Sequence, residues 1–119
     1  MNRFREFYQS LNYAVRGLAY ALKSEKNFQN EIIIGILVFI AMIYFRITQA
    51  EMVILLLVIF GVLIMELLNT VMERIMDMLK PRVHPYVKLI KDLMAASVLV
   101  ASLLAIIIGL IIFIPYITG

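Results

Sequence analysis

The sequence predicts an all-α integral membrane protein, in which an N-terminal amphipathic surface helix precedes three transmembrane helices. Hydrophobic residues make up 64% of the chain and the mean hydropathy is +0.99, whereas soluble domains contain about 45 to 50% apolar residues. In addition, the long apolar segments are separated by short polar turns. We therefore expect residues 1–119 to form a single membrane domain.

Residues 1–26 are predicted to form a helix that lies in the plane of the lipid headgroups. Apolar side chains recur along one face at helical spacing, and basic and amide side chains fill a neighbouring face. This helix is either a basic anchor on anionic lipid or a cover whose polar face also closes an active site. Because the segment lacks an apolar stretch followed by a small-residue cleavage site, we expect no removable signal peptide. The apolar face contains Phe4, Phe7, Tyr8, Leu11, Val15, Leu18 and Leu22.

Three segments are predicted to cross the membrane, at residues 28–47, 51–78 and 86–115. The first contains an uninterrupted apolar run, residues 32–45, that is only about 21 Å long as a helix, against a hydrocarbon core of roughly 30 Å. It crosses comfortably if residues 28–31 also lie at membrane depth. The alternative is a re-entrant or interfacial segment.

The third segment is the unequivocal transmembrane helix, since residues 93–114 contain no charge. Pro115 is predicted to end it. Small side chains recur at every fourth position, a spacing that lets another helix approach closely. These positions are Ser97, Ala101, Ala105 and Gly109.

The distribution of basic residues predicts the orientation in the membrane. Of the 11 Lys and Arg residues, five precede residue 30, one is Arg46, five occur from Arg74 to Lys91 inclusive, and none follow. The positive-inside rule then places the N-terminus and the loop after the second span in the cytoplasm, and the C-terminus outside.

A polar stripe continues from the second span. It comprises Glu66, Asn69, Thr70, Glu73 and Asp77, which share about 100° of one helical face. Ionisable groups at membrane depth cost at least a few kcal/mol each and are rarely kept without a partner or a function. The stripe is therefore the candidate functional site.

Several kinds of chemistry are compatible with this stripe. Carboxylates with an amide hold Mg²⁺ together with substrate phosphates, and nearby basic residues neutralise phosphate charge, as phosphoryl transfer requires. Cysteine is absent and His84 is the single histidine, which argues against zinc, iron–sulfur and thiol chemistry. No P-loop or kinase glycine-rich motif is present. Catalysis, proton- or cation-coupled transport through Glu66, and structural hydrogen bonding between helices all remain open on these observations.

A family resemblance favours catalysis. The run Glu66-Leu67-Leu68-Asn69-Thr70-Val71-Met72-Glu73-Arg74-Ile75-Met76-Asp77 resembles the E-x-x-N-[ST]-x-x-E-x-x-x-D signature of the prokaryotic diacylglycerol kinase family, which includes the undecaprenol kinases. Further similar motifs occur in the same order, namely Arg16-Gly17-Leu18, Glu25-x-x-Phe28, His84-Pro85 and Lys91-Asp92. The resemblance implies a lipid kinase of the bacterial cytoplasmic membrane, which uses ATP and Mg²⁺ to phosphorylate undecaprenol or diacylglycerol.

The resemblance also implies roles for individual residues. Glu66 would be the base that accepts the proton of the lipid hydroxyl, and Asn69 would support this base and the γ-phosphate. Glu25 and Glu73 would bind Mg²⁺ and orient ATP. The nucleotide would also contact Tyr13, His84, Lys91 and Asp92. The lipid head would meet Asn27, Phe28, Asn30 and Glu31, as well as Glu66.

The family resemblance further implies a homotrimer with sites composed between subunits. Such an assembly suits a chain that is too small to surround ATP and a lipid alone, and the ladder of small residues in the third span would be its packing face. The expected partners are ATP, a membrane lipid alcohol and the bilayer. We expect no nucleic-acid partner.

Overall fold

The computed structural model describes residues 2–79 and 84–119, which form four α-helices and connecting turns. In chain order these are α1 (Arg3–Ser24), α2 (Lys26–Phe45), α3 (Gln49–Leu79) and α4 (His84–Thr118). The last three are long and apolar enough to cross a membrane. The prediction of an all-α membrane fold with three spans is therefore confirmed.

Helix α1 has the exposure expected of a surface helix. Asn2 caps its N-terminus, where the side-chain oxygen accepts a hydrogen bond from the Phe4 amide at 3.0 Å. The large apolar side chains of the predicted face are exposed in the single chain, and Ala21 is the buried residue of the helix. The apolar face is thus free to lie on lipid.

A single residue, Glu25, separates α1 from α2. Its backbone is extended, so α1 ends two residues before its predicted end at residue 26, and α2 begins two residues before the predicted start of the first span at residue 28. The Gln29 side chain donates a hydrogen bond to the Leu22 carbonyl at 2.7 Å, and the Glu25 amide donates one to the Ala21 carbonyl at 3.0 Å. These bonds satisfy carbonyl groups that the end of α1 would otherwise leave without partners.

Helix α2 is continuous over its 20 residues and is about 30 Å long. The polar first turn therefore extends the short apolar run to the thickness of the hydrocarbon core. A continuous helix of this length supports a span and not the re-entrant alternative.

A compact turn joins α2 to α3. Arg46 ends α2 in the left-handed conformation, with φ at 52°. Thr48 and Glu51 then form a reciprocal cap, because the Thr48 amide donates to Glu51 Oε1 at 3.0 Å and the Glu51 amide donates to Thr48 Oγ1 at 3.2 Å. The Tyr116 hydroxyl donates to the same Glu51 oxygen at 2.5 Å, which ties the end of α4 to the start of α3.

The buried apolar core lies at the same end of the molecule as this turn. The aromatic ring of Phe45 packs 5.9 Å from that of Phe113 and 6.3 Å from that of Tyr116, measured between centroids. The opposite end of the spans holds the buried polar groups instead. The core consists of Met42, Ile47, Leu55 and Ile112.

Replacing Met42 by alanine is expected to destabilise the fold by about 2 to 5 kcal/mol, because Met42 is fully buried and the vacated volume cannot refill completely. Titration with a denaturing detergent, followed by helical circular dichroism, measures the loss. The matched control is Ile43→Ala on the same helix, where 60% of the side chain is exposed and the expected change is within about 0.5 kcal/mol. Equal losses for the two variants would contradict the placement of the core.

Helix α4 continues past Pro115 to Thr118, so the prediction that proline ends this helix is wrong. Proline removes one amide donor, but the final turn is supported by other bonds. Thr118 Oγ1 donates to the Ile114 carbonyl at 3.0 Å, and the Gly119 amide donates to the Pro115 carbonyl at 2.9 Å.

The small residues that recur at every fourth position of α4 are not all packed against another helix of the same chain. Ser97 Oγ donates to the Leu93 carbonyl of its own helix at 3.1 Å. A Cβ atom added at Gly109 would have no neighbour within 4 Å, so this position is not packed closely against α2 or α3. In each span, at most 22% of the residues in the most apolar 18-residue stretch are buried. Large apolar surfaces therefore remain for lipid or other subunits, and the homotrimer stays a prediction.

Candidate active site

The polar stripe of α3 is buried at its membrane end. Glu66, Asn69 and Thr70 are 3%, 7% and 8% exposed, and they are the buried polar residues of the described structure. Asn69 Nδ2 donates to Glu73 Oε1 at 3.0 Å, while Thr70 Oγ1 donates to the Glu66 carbonyl at 3.1 Å. The helical spacing thus places an amide between two carboxylates, as the sequence predicted.

Helix α2 adds a side chain to this cluster of polar residues. Glu66 interacts with the side-chain amides of Asn69, on its own helix, and Asn27, in the first turn of α2. Asn69 Oδ1 is buried and has no hydrogen-bond partner among residues 2–79 and 84–119. A buried acceptor without a partner calls for an explanation, and a bound cation or hydroxyl group would supply one.

Glu25 reaches the site from the junction of α1 and α2. Arg74 Nη2 donates to Glu25 Oε1 in an ion pair, and Arg74 Nε donates to the Tyr20 hydroxyl at 3.0 Å. The guanidinium carbon also lies 5.8 Å from the centroid of the Tyr20 ring. Arg74 therefore connects α3 with the last turn of α1 and with Glu25.

Neither Arg74 nor Tyr20 is among the site residues predicted from the sequence. Arg74 follows Glu73 and lies one turn beyond Thr70, so its helical position beside the stripe was an available signal. Tyr20 carried no such signal, because its role depends on how α1 approaches α3.

Carboxylates from both spans lie close enough to influence one another. Glu66 is within electrostatic range of Glu73 and Glu25, and Glu31 is within range of Glu66. Like charges so close together are unfavourable unless cations or protons compensate them. Arg74 supplies one positive charge, and the remaining negative charge suits a site for a cationic ligand.

The donor set fits Mg²⁺ that arrives with a nucleotide, and does not form a complete metal cage. Within the described parts of the chain, no group of three or more acidic or histidine side chains is arranged to hold a metal ion. Mg²⁺ usually takes one or two carboxylates while substrate phosphates and water complete its coordination. The free Asn69 oxygen and the neighbouring Glu73 carboxylate are oxygen donors of the kind Mg²⁺ prefers.

Only some of the residues predicted to bind the nucleotide lie near the polar stripe of α3. Lys91 Nζ lies 2.6 Å from Asp77 Oδ1, which brings Lys91 to the outer end of the stripe. Asp92 accepts a hydrogen bond from Lys88 at 3.2 Å on the exposed side of α4. Tyr13 is exposed on α1, and the side chain of His84 lies outside the described residues.

The predicted lipid residues surround the start of α2. Phe28 is buried, Asn27 interacts with Glu66, and Asn30 is exposed. Glu31 lines a cleft of about 440 Å³ between α2, α3 and α4, whose other walls are almost entirely apolar. Glu31 Oε2 is buried and has no partner in the described structure.

Comparison with known proteins identifies similar sequences. Residues 12–113 match the family model described as prokaryotic diacylglycerol kinase. The undecaprenol kinase of Bacillus subtilis is 34% identical over 114 residues, which cover 96% of this chain and 93% of that protein. The diacylglycerol kinase of Synechocystis is 33% identical over 101 residues, which cover 84% of this chain and 58% of that protein.

Proposed function

Because the chain belongs to the prokaryotic diacylglycerol kinase family, we propose that it transfers the γ-phosphate of ATP to the hydroxyl group of a membrane lipid alcohol. Family membership makes it a multi-pass membrane lipid kinase, and the proposal adds the phosphate donor, the acceptor and the residues. The observation that supports it is the buried group of Glu66, Asn69 and Glu73, with Glu25 within electrostatic range of Glu66. The alternative of transport through Glu66 has no comparable support.

Glu66 is proposed as the general base. Its side chain is buried at the membrane end of the stripe, near the side-chain amides of Asn69 and Asn27. It accepts the proton of the lipid hydroxyl as the hydroxyl oxygen bonds to the γ-phosphorus. The bond from that phosphorus to the bridging oxygen breaks, and ADP leaves.

Glu25 and Glu73 are proposed to hold Mg²⁺ together with the phosphates of ATP. The metal supplies charge neutralisation for the transferring phosphoryl group. Asn69 fixes one oxygen of Glu73, and its own free oxygen faces no other partner in the described structure. Tyr13, His84, Lys91 and Asp92 are proposed to contact the nucleotide, with Lys91 held near the stripe by Asp77.

The cleft beside Glu31 is proposed to take the hydrocarbon chain of the lipid. The apolar walls of the cleft match an isoprenoid or acyl chain. Glu31 lies at the polar end of the cleft, and its carboxylate is within electrostatic range of Glu66. A chain seated in this cleft would bring its hydroxyl group toward the base. Asn27, Phe28 and Asn30 lie near the same helix start and are proposed to contact the lipid head.

Filling the cleft should weaken lipid binding selectively. Gly109→Leu introduces a side chain where nothing lies within 4 Å, so we expect the KM for the lipid to rise about tenfold while the KM for ATP is unchanged. The matched control is Gly61→Leu on α3, which is equally open but does not line the cleft. Steady-state kinetics with each substrate varied in turn measures both constants. Unchanged lipid kinetics in Gly109→Leu would exclude the cleft as the lipid site.

The orientation and assembly are also proposals. The basic residues favour a cytoplasmic N-terminus and a cytoplasmic connection between α3 and α4, in the bacterial inner membrane, with the C-terminus outside. A homotrimer would cover the large apolar surfaces that one chain leaves exposed.

The acceptor is tested by offering γ-labelled ATP with undecaprenol or diacylglycerol to the purified protein in mixed micelles. The lipid that acquires label, and the ratio of kcat/KM between the two alcohols, identify the acceptor. Labelling of neither alcohol, with proton or cation uptake by reconstituted vesicles, would favour transport and overturn the proposal.

A further inference from the structure

We propose that Arg74 is a positioning residue, which fixes the Glu25 carboxylate and the end of α1 against the polar stripe of α3. This inference rests on the proposed function, because it assigns Arg74 a role in presenting Glu25 to the metal-bound nucleotide. Arg74 belongs to none of the residues for which the family resemblance implies a role.

The contacts of Arg74 connect two pieces of chain that have few other attachments to α3. Within the described structure, the hydrogen bonds from residues 2–25 to α3 are both made by Arg74, one to Tyr20 and one to Glu25. Ala21 is the buried residue of α1. Without Arg74, the last turn of α1 would lose its polar attachment to the span that carries the site.

Glu25 depends on this contact for its direction. It is a single extended residue between two helices, and its side chain does not cap α2. Arg74 binds Oε1, so a ligand would bind the other carboxylate oxygen. A carboxylate ligand oriented by an outer hydrogen-bond partner is a common arrangement in metal sites, and loss of such a partner typically costs about 10- to 100-fold in affinity or activity.

The geometry requires arginine in particular. Nε points to the Tyr20 hydroxyl while Nη2 points to Glu25, and the guanidinium plane also lies near the Tyr20 ring. Lysine has one ammonium group on a flexible stem and cannot reproduce both directions. Tyr20 in turn limits the positions open to Arg74, so the three side chains act as one unit.

The test compares Arg74→Gln, Arg74→Lys and Tyr20→Phe with Lys23→Gln, which removes one positive charge from the exposed end of α1. The first readout is calorimetric binding of a non-hydrolysable ATP analogue with Mg²⁺, without lipid. The second is the mobility of a nitroxide label on α1, introduced by Asn12→Cys. The chain has no native cysteine, so this label is unique.

We expect Arg74→Gln to weaken analogue binding about 10- to 100-fold and to increase label mobility. Arg74→Lys should be intermediate, and Tyr20→Phe should show a smaller change in the same direction, because the ion pair remains. Lys23→Gln should match the wild type in both readouts. Helical circular dichroism and size-exclusion chromatography verify folding, and Tyr20→Phe decides the proposal if Arg74→Gln does not fold.

The positioning role would be overturned if Arg74→Gln matched the wild type in both analogue binding and label mobility. If Arg74→Gln does not fold, the same result in Tyr20→Phe would overturn it. Increased mobility with unchanged analogue binding would also overturn it, because Arg74 would then be only a structural tie. Failure of the proposed kinase function has a different signature: the wild-type protein would label no lipid alcohol, whereas the binding and mobility comparisons would still report on Arg74.

Discussion

Glu66→Gln is expected to lower kcat for lipid phosphorylation by about 10²- to 10⁴-fold while binding of the ATP analogue stays within about twofold of the wild type. Glutamine has nearly the same shape and can keep a hydrogen bond to the neighbouring amides, but it cannot accept the proton of the lipid hydroxyl. The effect should therefore appear in turnover, with little change in assembly or nucleotide affinity. Labelled-phosphate transfer at saturating substrates measures kcat, and calorimetry measures binding.

The matched control for Glu66→Gln is Glu6→Gln, which removes an exposed carboxylate from the first turn of α1. This variant should keep wild-type turnover. Normal turnover in Glu66→Gln would remove the base from the proposed mechanism. Equal losses in the two variants would show that negative charge in general, and not the buried carboxylate, determines the rate.

Glu73→Ala is expected to raise the KM for MgATP at least about tenfold, because it removes a proposed metal ligand and also leaves the Asn69 amide without its acceptor. Glu73→Gln separates these effects, since it retains an oxygen for Asn69 but loses the negative charge. We expect Glu73→Gln to fold as stably as the wild type and still to bind MgATP poorly.

Titration of both Glu73 variants with Mg²⁺ at fixed ATP provides the measurement. If the Glu73 carboxylate binds the metal, the midpoint of the Mg²⁺ titration should shift to higher concentration in both variants. A shift in Glu73→Ala alone would assign Glu73 to the support of Asn69. Unchanged midpoints in both variants would remove Glu73 from the metal site.

The helices and the polar stripe were predictable because both are local patterns. An apolar segment of sufficient length predicts a span wherever it occurs, and the spacing of Glu66, Asn69 and Glu73 places them on one face of any regular helix. The boundary between the surface helix and the first span, predicted at residues 26–28, likewise lies close to the observed break at Glu25. These features depend on neighbours in sequence and not on the packing of distant segments.

The contacts between helices were not predictable in the same way. The sequence identifies Arg74 only as a basic residue near the cytoplasmic loop, because its bonds to Tyr20 and Glu25 depend on the angle at which α1 returns toward α3. The bond from Tyr116 to Glu51 likewise joins residues from two different helices. Helix α4 continues past Pro115 because bonds in the final turn offset the missing amide.

The most direct measurement of the central claim is the formation of phosphorylated lipid by the wild-type chain in bilayer nanodiscs, from γ-labelled ATP with and without Mg²⁺. We expect labelled lipid with Mg²⁺ and essentially none after chelation, because the carboxylates around Asn69 are proposed to act on metal-bound ATP. Labelled lipid formed equally well without Mg²⁺, or no labelled lipid from either undecaprenol or diacylglycerol, would contradict it.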